Sequence, residues 1–562
     1  MTRLHNDPSE FSEDQLEGFA DLYSDRLAAV PGGVVSHPPR EPQVAVVVLG
    51  GSGHYPAFAG LVGPGFASGA VVGNIFTSPS AAHIYSVAKA ADQGRGVVLS
   101  FGNYAGDTMN SGIAAKMLRA EGIDTRIVVV TDDVASAPEH EERRGIAGDF
   151  VVFKAMGAAA AAGKDLDDVE RLGNLANRRT RTLGVAFAGC TMPGADSPLF
   201  EVAEGQMGVG LGIHGEPGIR DEERPSAEEL GRMLVESLLE HLPEEPGKRV
   251  GVILNGLGTT KYEELFLLYR TVAPLLREAG CEIVDPEVGE IVTSLDMGGV
   301  SLTLAWLDEE LEPLWTADAY AAAYRKQRAP LESIEDEYRG PEGSAAEDEV
   351  VEASTRAREL AAEVRAAAED VAELMRREET RLGEIDAFAG DGDHGRGMVR
   401  GAEAAVEVIQ SLPEHAGPAS LLKAAGRAWA ARAGGTSGVL WGASLEAASA
   451  AFDDASEELG QEQLREAVRR FAESMQTLGG ASAGDKTLLD ALLPFSDALA
   501  EAEDAAAAWN DAAVKAREGA EASADLVPRT GRARPLAEKS VGHPDPGAVS
   551  MSLIIDKVGE RL

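Results

Sequence analysis

Three aspartates crowd one short stretch, Gly383-Glu-Ile-Asp386-Ala-Phe-Ala-Gly390-Asp391-Gly-Asp393-His394-Gly395. An unbroken helix would turn Asp391 away from the other two, but Gly390 and Gly392 make such a helix improbable. The pattern predicts a helix that carries Asp386 and runs into a tight loop, which folds Asp391 and Asp393 back beside it. Converging carboxylates repel one another unless a cation sits among them, and hard oxygen ligands favour magnesium completed by substrate phosphates. The competing reading is an acidic turn beyond a helix end, the commoner fate of a single Asp-Gly-Asp.

The first half of the chain holds three more candidates. Gly51, Ser52, Gly53 and His54 follow the apolar run AVVVL at 45–49, where a glycine turn at the edge of a parallel strand would expose backbone amides to a ligand. His54 there fits a helix cap or core edge as readily as catalysis. Asp107, in Gly102-Asn-Tyr-Ala-Gly-Asp107, follows the run VVLSF at 97–101 and so should share the sheet edge with His54. Together they could act as an acid/base pair on a hydroxyl, whereas Asp107 alone reads better as an Asx-turn. His214 stands among glycines in Met207-Gly-Val-Gly-Leu-Gly-Ile-His214-Gly-Glu-Pro-Gly, which leaves its imidazole uncrowded. As a nucleophile it would need an electrophilic carbon such as that of a ketone or aldehyde.

Two kinds of element must hold these residues. Up to about residue 325, β-branched runs such as RIVVVT at 126–131 and RVGVILNG at 249–256 alternate with glycine turns and helical stretches, an α/β pattern that predicts parallel sheets covered by helices. An acidic, polar piece at 331–350 reads as a linker between a domain at 1–330 and another at 351–562. The second domain is rich in Ala, Glu, Leu and Arg with almost no strand signal. It predicts an all-α antiparallel bundle or barrel with helices near 353–382, 419–433 and 462–476.

Composition narrows the partners. A length of 562 residues exceeds one core, and 44 % hydrophobic with 26 % charged residues is a globular profile. The net charge of −42 disfavours nucleic acid and anionic membranes, so an anionic ligand must be held locally. With two cysteines, Cys190 and Cys281, and no long apolar run, the expectation is a cytoplasmic protein with neither disulfide framework nor membrane span.

Taken together, GGSGH at 50–54, GNYAGD at 102–107 and GIHGEPG at 212–218 resemble the ketose-binding K domain of dihydroxyacetone kinases. AGDGDHG at 389–395, GGTSG at 434–438, GDKTLLDAL at 484–492 and GHPDPGA at 542–548 resemble the nucleotide-binding L domain of the same family. The resemblance implies an ATP-dependent kinase of a short ketose, dihydroxyacetone or erythrulose. It implies that His214 holds the ketose carbonyl as a hemiaminal, that Gly51, Ser52, Gly53 and His54 form the substrate loop, and that His54 and Asp107 activate the primary hydroxyl. It further implies that Asp386, Asp391 and Asp393 ligate two magnesium ions. ATP contacts would fall at His394, Gly395, Arg396, Gly397, Thr436, Ser437, Gly479, Thr487, Arg532, Asp545, Pro546 and Gly547. Family precedent is a homodimer. Many members carry lysine directly before the Asn-Tyr of the second motif, where this chain has Gly102; loss of that cation would free volume for a four-carbon ketose. The alternatives are a subunit recharged by a phospho-carrier protein and a ketose-binding co-regulator. The first is disfavoured because both domains share one chain, the second because a sensor has no need of a magnesium-triphosphate site.

Overall fold

A computed structural model describes residues 4–327, 350–388, 390–529 and 537–562. The chain divides into two compact units, Met1–Asp336 and Glu337–Leu562. Of the expected linker at 331–350, all but Val350 lies outside the described residues.

The first unit contains two main sheets. In the first, β1 (Leu27–Val30), β2 (Gly33–Ser36), β3 (Ala45–Ser52), β4 (Gly69–Ile75), β5 (Val97–Gly102) and β6 (Thr125–Val130) lie in the order β1-β2-β4-β3-β5-β6. The β4-β3-β5-β6 pairings are parallel, as the buried β-branched runs led one to expect, while β1-β2 and β2-β4 are antiparallel. The neighbouring parallel strands β3 and β5 bring residues 51–54 and 103–107 to one edge.

The second sheet departs from the expected parallel pattern. It comprises β7 (Thr180–Ala188), β8 (Gln206–Val209), β9 (Arg220–Glu223), β10 (Arg249–Gly256), β11 (Glu282–Ile283), β12 (Glu287–Gly289) and β13 (Gly298–Trp306). The pairings β10-β13, β13-β7, β7-β8 and β8-β9 are antiparallel, and only the short β11 and β12 run parallel to β10. His214 sits in the loop of the β8-β9 hairpin. The helix Gly148–Ala161 is buried at every residue but Ala161 and touches strands of both sheets, which explains why it is apolar on all faces.

The second unit is all helical among its described residues. Eight long helices form it: Thr355–Asp386, His394–Ser411, Pro418–Ala433, Gly435–Ser449, Gln461–Gly479, Leu489–Ala500, Ala505–Ala522 and Pro546–Gly559. Local chemistry sets their ends. The Ser354 hydroxyl accepts from the Ala357 amide at the first helix, Asp545 Oδ1 accepts from the Ala548 amide at the last, and Gly480 closes Gln461–Gly479 in a left-handed turn at φ 60°. Stacked Trp429 and Trp441, 5.0 Å between ring centroids, lie in the core. No helix among the described residues is long and apolar enough to cross a membrane.

Candidate active site

In the first unit the structure brings His54 and His214 into direct contact. Their Nε2 atoms stand 3.0 Å apart. The Nδ1 of His54 donates to the Thr293 carbonyl at 2.7 Å, and that of His214 to Glu216 Oε1 at 2.9 Å. The other Glu216 oxygen accepts the His214 backbone amide at 3.0 Å. A continuous chain therefore runs carbonyl, imidazole, imidazole, carboxylate.

Aromatic rings enclose it. Phe76 stacks on His54 at 5.1 Å, and Tyr104 meets the His214 ring edge-on at 4.8 Å. Burial pushes the His54 pKa down to about 3, with the nearby His214 acting in the same direction. Burial opposes ionisation of Glu216, yet the hydrogen bond and charge of His214, with backbone amides, together outweigh it and bring the carboxyl to about 2. Arg144 Nη1 stands 3.8 Å from Glu216 and its Nη2 pairs with buried Asp133 at 2.9 Å.

One segment holds both histidine loops. The Leu295 amide donates to Gly53 O at 2.7 Å, the Thr293 amide to His54 O at 3.3 Å, and the Ser294 hydroxyl to Ile213 O. Asp107 lies in the first turn of the helix Ala105–Ala120, at the end of β5, buried, with Oδ1 lacking a hydrogen-bond partner. Burial raises its carboxyl to about 6, against a hydrogen bond from Ser78 and the charge of His214. It stands in the first turn of a helix rather than in the free turn expected from the sequence alone.

The other residues expected to form a substrate loop serve the backbone. Ser52 Oγ donates to Gly73 O at 2.6 Å, a Cβ on Gly51 would stand 2.6 Å from the Thr77 amide, and one on Gly53 would stand 2.8 Å from the Phe76 ring. Gly102 does not leave an open hole either. A Cβ there would lie 3.0 Å from the Gly145 carbonyl and 3.1 Å from the Tyr104 ring.

In the second unit Asp386 is the last residue of its helix, and each of Asp386, Asp391 and Asp393 offers an oxygen within 4.8 Å of the others. A side chain at Gly390 would strike the Asp386 carboxylate, and Gly392 has φ 76°, so the fold of this loop depends on both glycines. The donor set is all oxygen and matches a magnesium site.

The triad lines a cavity of about 400 Å³, shared with His394, Arg396, Gly397, Thr436, Ser437 and Gly479. Thr487 and Asp545 to Gly547 complete the wall. Gly395 does not line it; a Cβ there would collide with the Glu379 carbonyl, so it lets two helices approach. Arg532 lies outside the described residues. The helices that start at His394, Gly435 and Pro546 have their first residues in this wall, an arrangement whose N-terminal backbone N–H groups suit an anionic ligand.

Sequence reasoning passed over Glu216, Thr293 and Lys486. Glu216 was visible two residues beyond His214 inside the same motif, as an acceptor able to orient the ring. The Thr293 carbonyl left no signal. Lys486, at φ 60°, is buried against the same cavity and donates to the carbonyls of Ser540 at 2.6 Å, Leu526 at 3.2 Å and Ala524 at 3.5 Å, tying the segment 524–526 to Ser540 in the wall.

Comparison with known proteins accords with this two-part layout. A Dak1 domain matches residues 17–323 and a DAK2 domain matches 388–560. The chain is 54 % identical to a D-erythrulose kinase of Mycolicibacterium smegmatis over all of its length and 98 % of the relative's. It is 51 % identical to an L-erythrulose kinase of Pectobacterium atrosepticum, over all of its length and 97 % of that protein's. The crystal structure of the dihydroxyacetone kinase from C. freundii in complex with AMP-PNP and Mg2+ is similar with a TM-score of 0.59 at 29 % identity, covering 99 % of each chain. With both domains present in order and such relatives matched end to end, the chain belongs to the dihydroxyacetone kinase family.

Proposed function

We propose that this chain is a self-sufficient ATP-dependent kinase that phosphorylates a primary hydroxyl of erythrulose, and that His214 holds the ketose covalently as a hemiaminal. The observation that carries the reading is the fixed chain Thr293 carbonyl–His54–His214–Glu216, which presents an oriented imidazole nitrogen. The Nε2 of His214 would add to the ketose C2, a step that rejects polyols because they offer no electrophilic carbon. His54 and Asp107 would then act as acid and base on the terminal hydroxyl.

Asp386, Asp391 and Asp393 would hold two magnesium ions, with ATP along His394, Arg396, Gly397, Thr436, Ser437, Gly479, Thr487 and Asp545 to Gly547. Bound magnesium and ATP supply the phosphoryl group and neutralise its charge. The chain's own part is to orient the hydroxyl and hold its proton. A cytoplasmic homodimer completes the reading, the association being measurable by light scattering. Erythrulose is favoured over dihydroxyacetone because two full-length relatives are erythrulose kinases.

Purified protein with ATP, magnesium and no other protein should release ADP on erythrulose, with kcat/KM at least ~10-fold above that for dihydroxyacetone, the scale of one discriminating contact. Glycerol should give none. A clear preference for dihydroxyacetone removes the erythrulose assignment, and a requirement for a phospho-carrier protein removes the self-sufficient kinase.

Two further results are expected. Glu216→Gln exchanges the carboxylate that orients His214 for a neutral amide and should lower kcat/KM for ketose by about 10²-fold while leaving KM for ATP unchanged. Steady-state kinetics with each substrate varied check this, and an unaltered ketose kcat/KM removes Glu216 from the machinery. For Asp107, a base with a pKa of about 6 is protonated as pH falls through 6, so kcat/KM should drop about tenfold per pH unit below it. Asp107→Asn should flatten that acid limb, and a variant retaining it would assign the titration elsewhere.

A further inference from the structure

We propose that the first unit holds a phosphate site apart from the nucleotide cavity, formed by Arg143, His140 and Arg178, which takes inorganic phosphate or the phosphate of a small monoester. The fold leaves hydrogen-bond donors there without acceptors, and it gathers positive charge around them.

Arg143 is 5 % exposed. Its Nε donates to the Ala137 carbonyl and its Nη2 to that of Pro138, both at 3.0 Å. Its buried Nη1 has no hydrogen-bond partner among the described residues. His140 repeats the pattern. Asn177 Nδ2 donates to the Thr131 hydroxyl at 2.9 Å, so that hydroxyl has its own hydrogen to give to His140 Nε2 at 3.3 Å. The ring hydrogen then sits on Nδ1, which is also buried and unpartnered among the described residues. A buried donor without an acceptor loses its hydration and regains nothing.

Like charges meet at the same place, against the trend of a chain with net charge −42. Burial brings the His140 ring down to about 4, and the charges of Arg181, Arg143 and Arg178 push the same way against Glu141. Burial also lowers Arg181, to about 10, with Arg143 adding to it, and both arginines act on His241. The acids in reach do not cancel this charge. Asp133 pairs with Arg144 at 2.9 Å, Asp132 accepts the Ile146 and Gly148 amides at 2.8 and 2.7 Å, and burial raises both carboxyls. Glu139, Glu141, Glu142 and Glu240 are exposed to solvent.

Arginines that merely tie loops together would spend their donors on carbonyls. Arg181 does so, with Nε on His241 O at 2.9 Å and Nη1 on Arg178 O and Thr180 O at 2.9 and 2.7 Å. Those carbonyls are neutral, so they satisfy donors and leave the charge standing. Arg143 Nη1 and His140 Nδ1 are not used even in that way. Arg178, the last residue of the helix Leu166–Arg178, is exposed and forms no ion pair among the described residues. A group that only accepts, carries negative charge and offers several oxygens suits all three, and phosphate is such a group.

The site adjoins the ketose pocket. Asn103 Nδ2 donates to the carbonyls of Glu141 at 3.2 Å and Arg143 at 2.9 Å, and Tyr104, next in the chain, meets the His214 ring edge-on. Phosphate on Arg143 therefore bears on the turn that Asn103 holds beside that wall.

The test uses the full-length chain without nucleotide or magnesium, labelled with nitrogen-15 at histidine. Inorganic phosphate, glycerol 3-phosphate and chloride are added in turn at one ionic strength, and His140→Gln identifies its ring among the ten histidines. Glycerol 3-phosphate has no electrophilic carbon for His214 to attack. The expected result is a saturable shift of the His140 ring with phosphate and none with chloride. With phosphate bound, the ring should titrate above its starting value of about 4, because a nearby anion favours the imidazolium. Arg178→Gln should weaken binding about fivefold, the scale of one exposed charge pair, and Arg143→Gln at least ~10-fold. Should Arg143→Gln fail to fold, the exposed Arg178→Gln decides. A response to inorganic phosphate alone, or to the monoester alone, supports the site and names its source. No saturable shift with either phosphate, an equal shift with chloride, or binding that Arg178→Gln leaves unaltered overturns it.

Discussion

Asp391→Ala is expected to lower kcat by at least ~10³-fold at saturating ketose, the largest single effect in the second unit. The three carboxylates within 4.8 Å of one another form an all-oxygen pocket, and removing one leaves a divalent ion with too few hard ligands. A loss of several kcal/mol of charge stabilisation corresponds to that factor. Because Asp391 is exposed at a loop, the fold should survive, and circular dichroism of the variant should overlay the parent's. Chelation of divalent ions in the unaltered protein should reproduce the loss and readdition should reverse it. Ketose capture, read without nucleotide from a carbon-13 label at C2 of the sugar, should be unchanged in the variant. Retention of more than a tenth of the parent's kcat would falsify the metal assignment.

His214→Ala should cost kcat/KM for ketose a factor of about 10³ or more, since the variant loses the nucleophile and leaves His54 without its neighbour. Its second signature is specificity. Without a group that adds to a carbonyl, ketose and glycerol should be phosphorylated at similar low rates, whereas the parent should ignore glycerol. KM for ATP should stay within about twofold, because His214 lies in the first unit and the nucleotide cavity in the second. A substrate panel with each variant measures all three quantities. Turnover and sugar choice that survive the change would sink the nucleophile assignment and return His214 to a structural role.

Comparison of sequence and structure shows which physics is local. The aspartate loop was legible because glycine spacing and carboxylate repulsion act within a dozen residues, and the observed helix ends at Asp386 with the loop folded back as expected. The runs at 45–49, 97–101, 126–131 and 249–256 all became strands. Their pairing direction in the second sheet was not legible, because a buried β-branched run reads the same whether its neighbour runs with it or against it. The clasp formed by Thr293 to Leu295 was invisible for a related reason: two of its bonds use backbone amides that any residue supplies, and the third a serine hydroxyl with no motif around it. Lys486 is the converse case. A lysine in a motif suggests a ligand contact, but Lys486 donates to three carbonyls of the protein itself. Gly395 likewise reads as part of a nucleotide loop and turns out to be a spacer between helices.

The closeness of Gly102 and Gly145 constrains how sugar preference could be redesigned. A Cβ on Gly145 would fall 2.4 Å from the Gly102 Cα, and one on Gly102 would press on both Gly145 and Tyr104, the ring that walls His214. Grafting a long cation onto 102 by itself would displace that ring and disturb the imidazole it shields. Positions 102, 104 and 145 thus pack as one block, and a redesign of 102 has to make room at 145 and 104 as well.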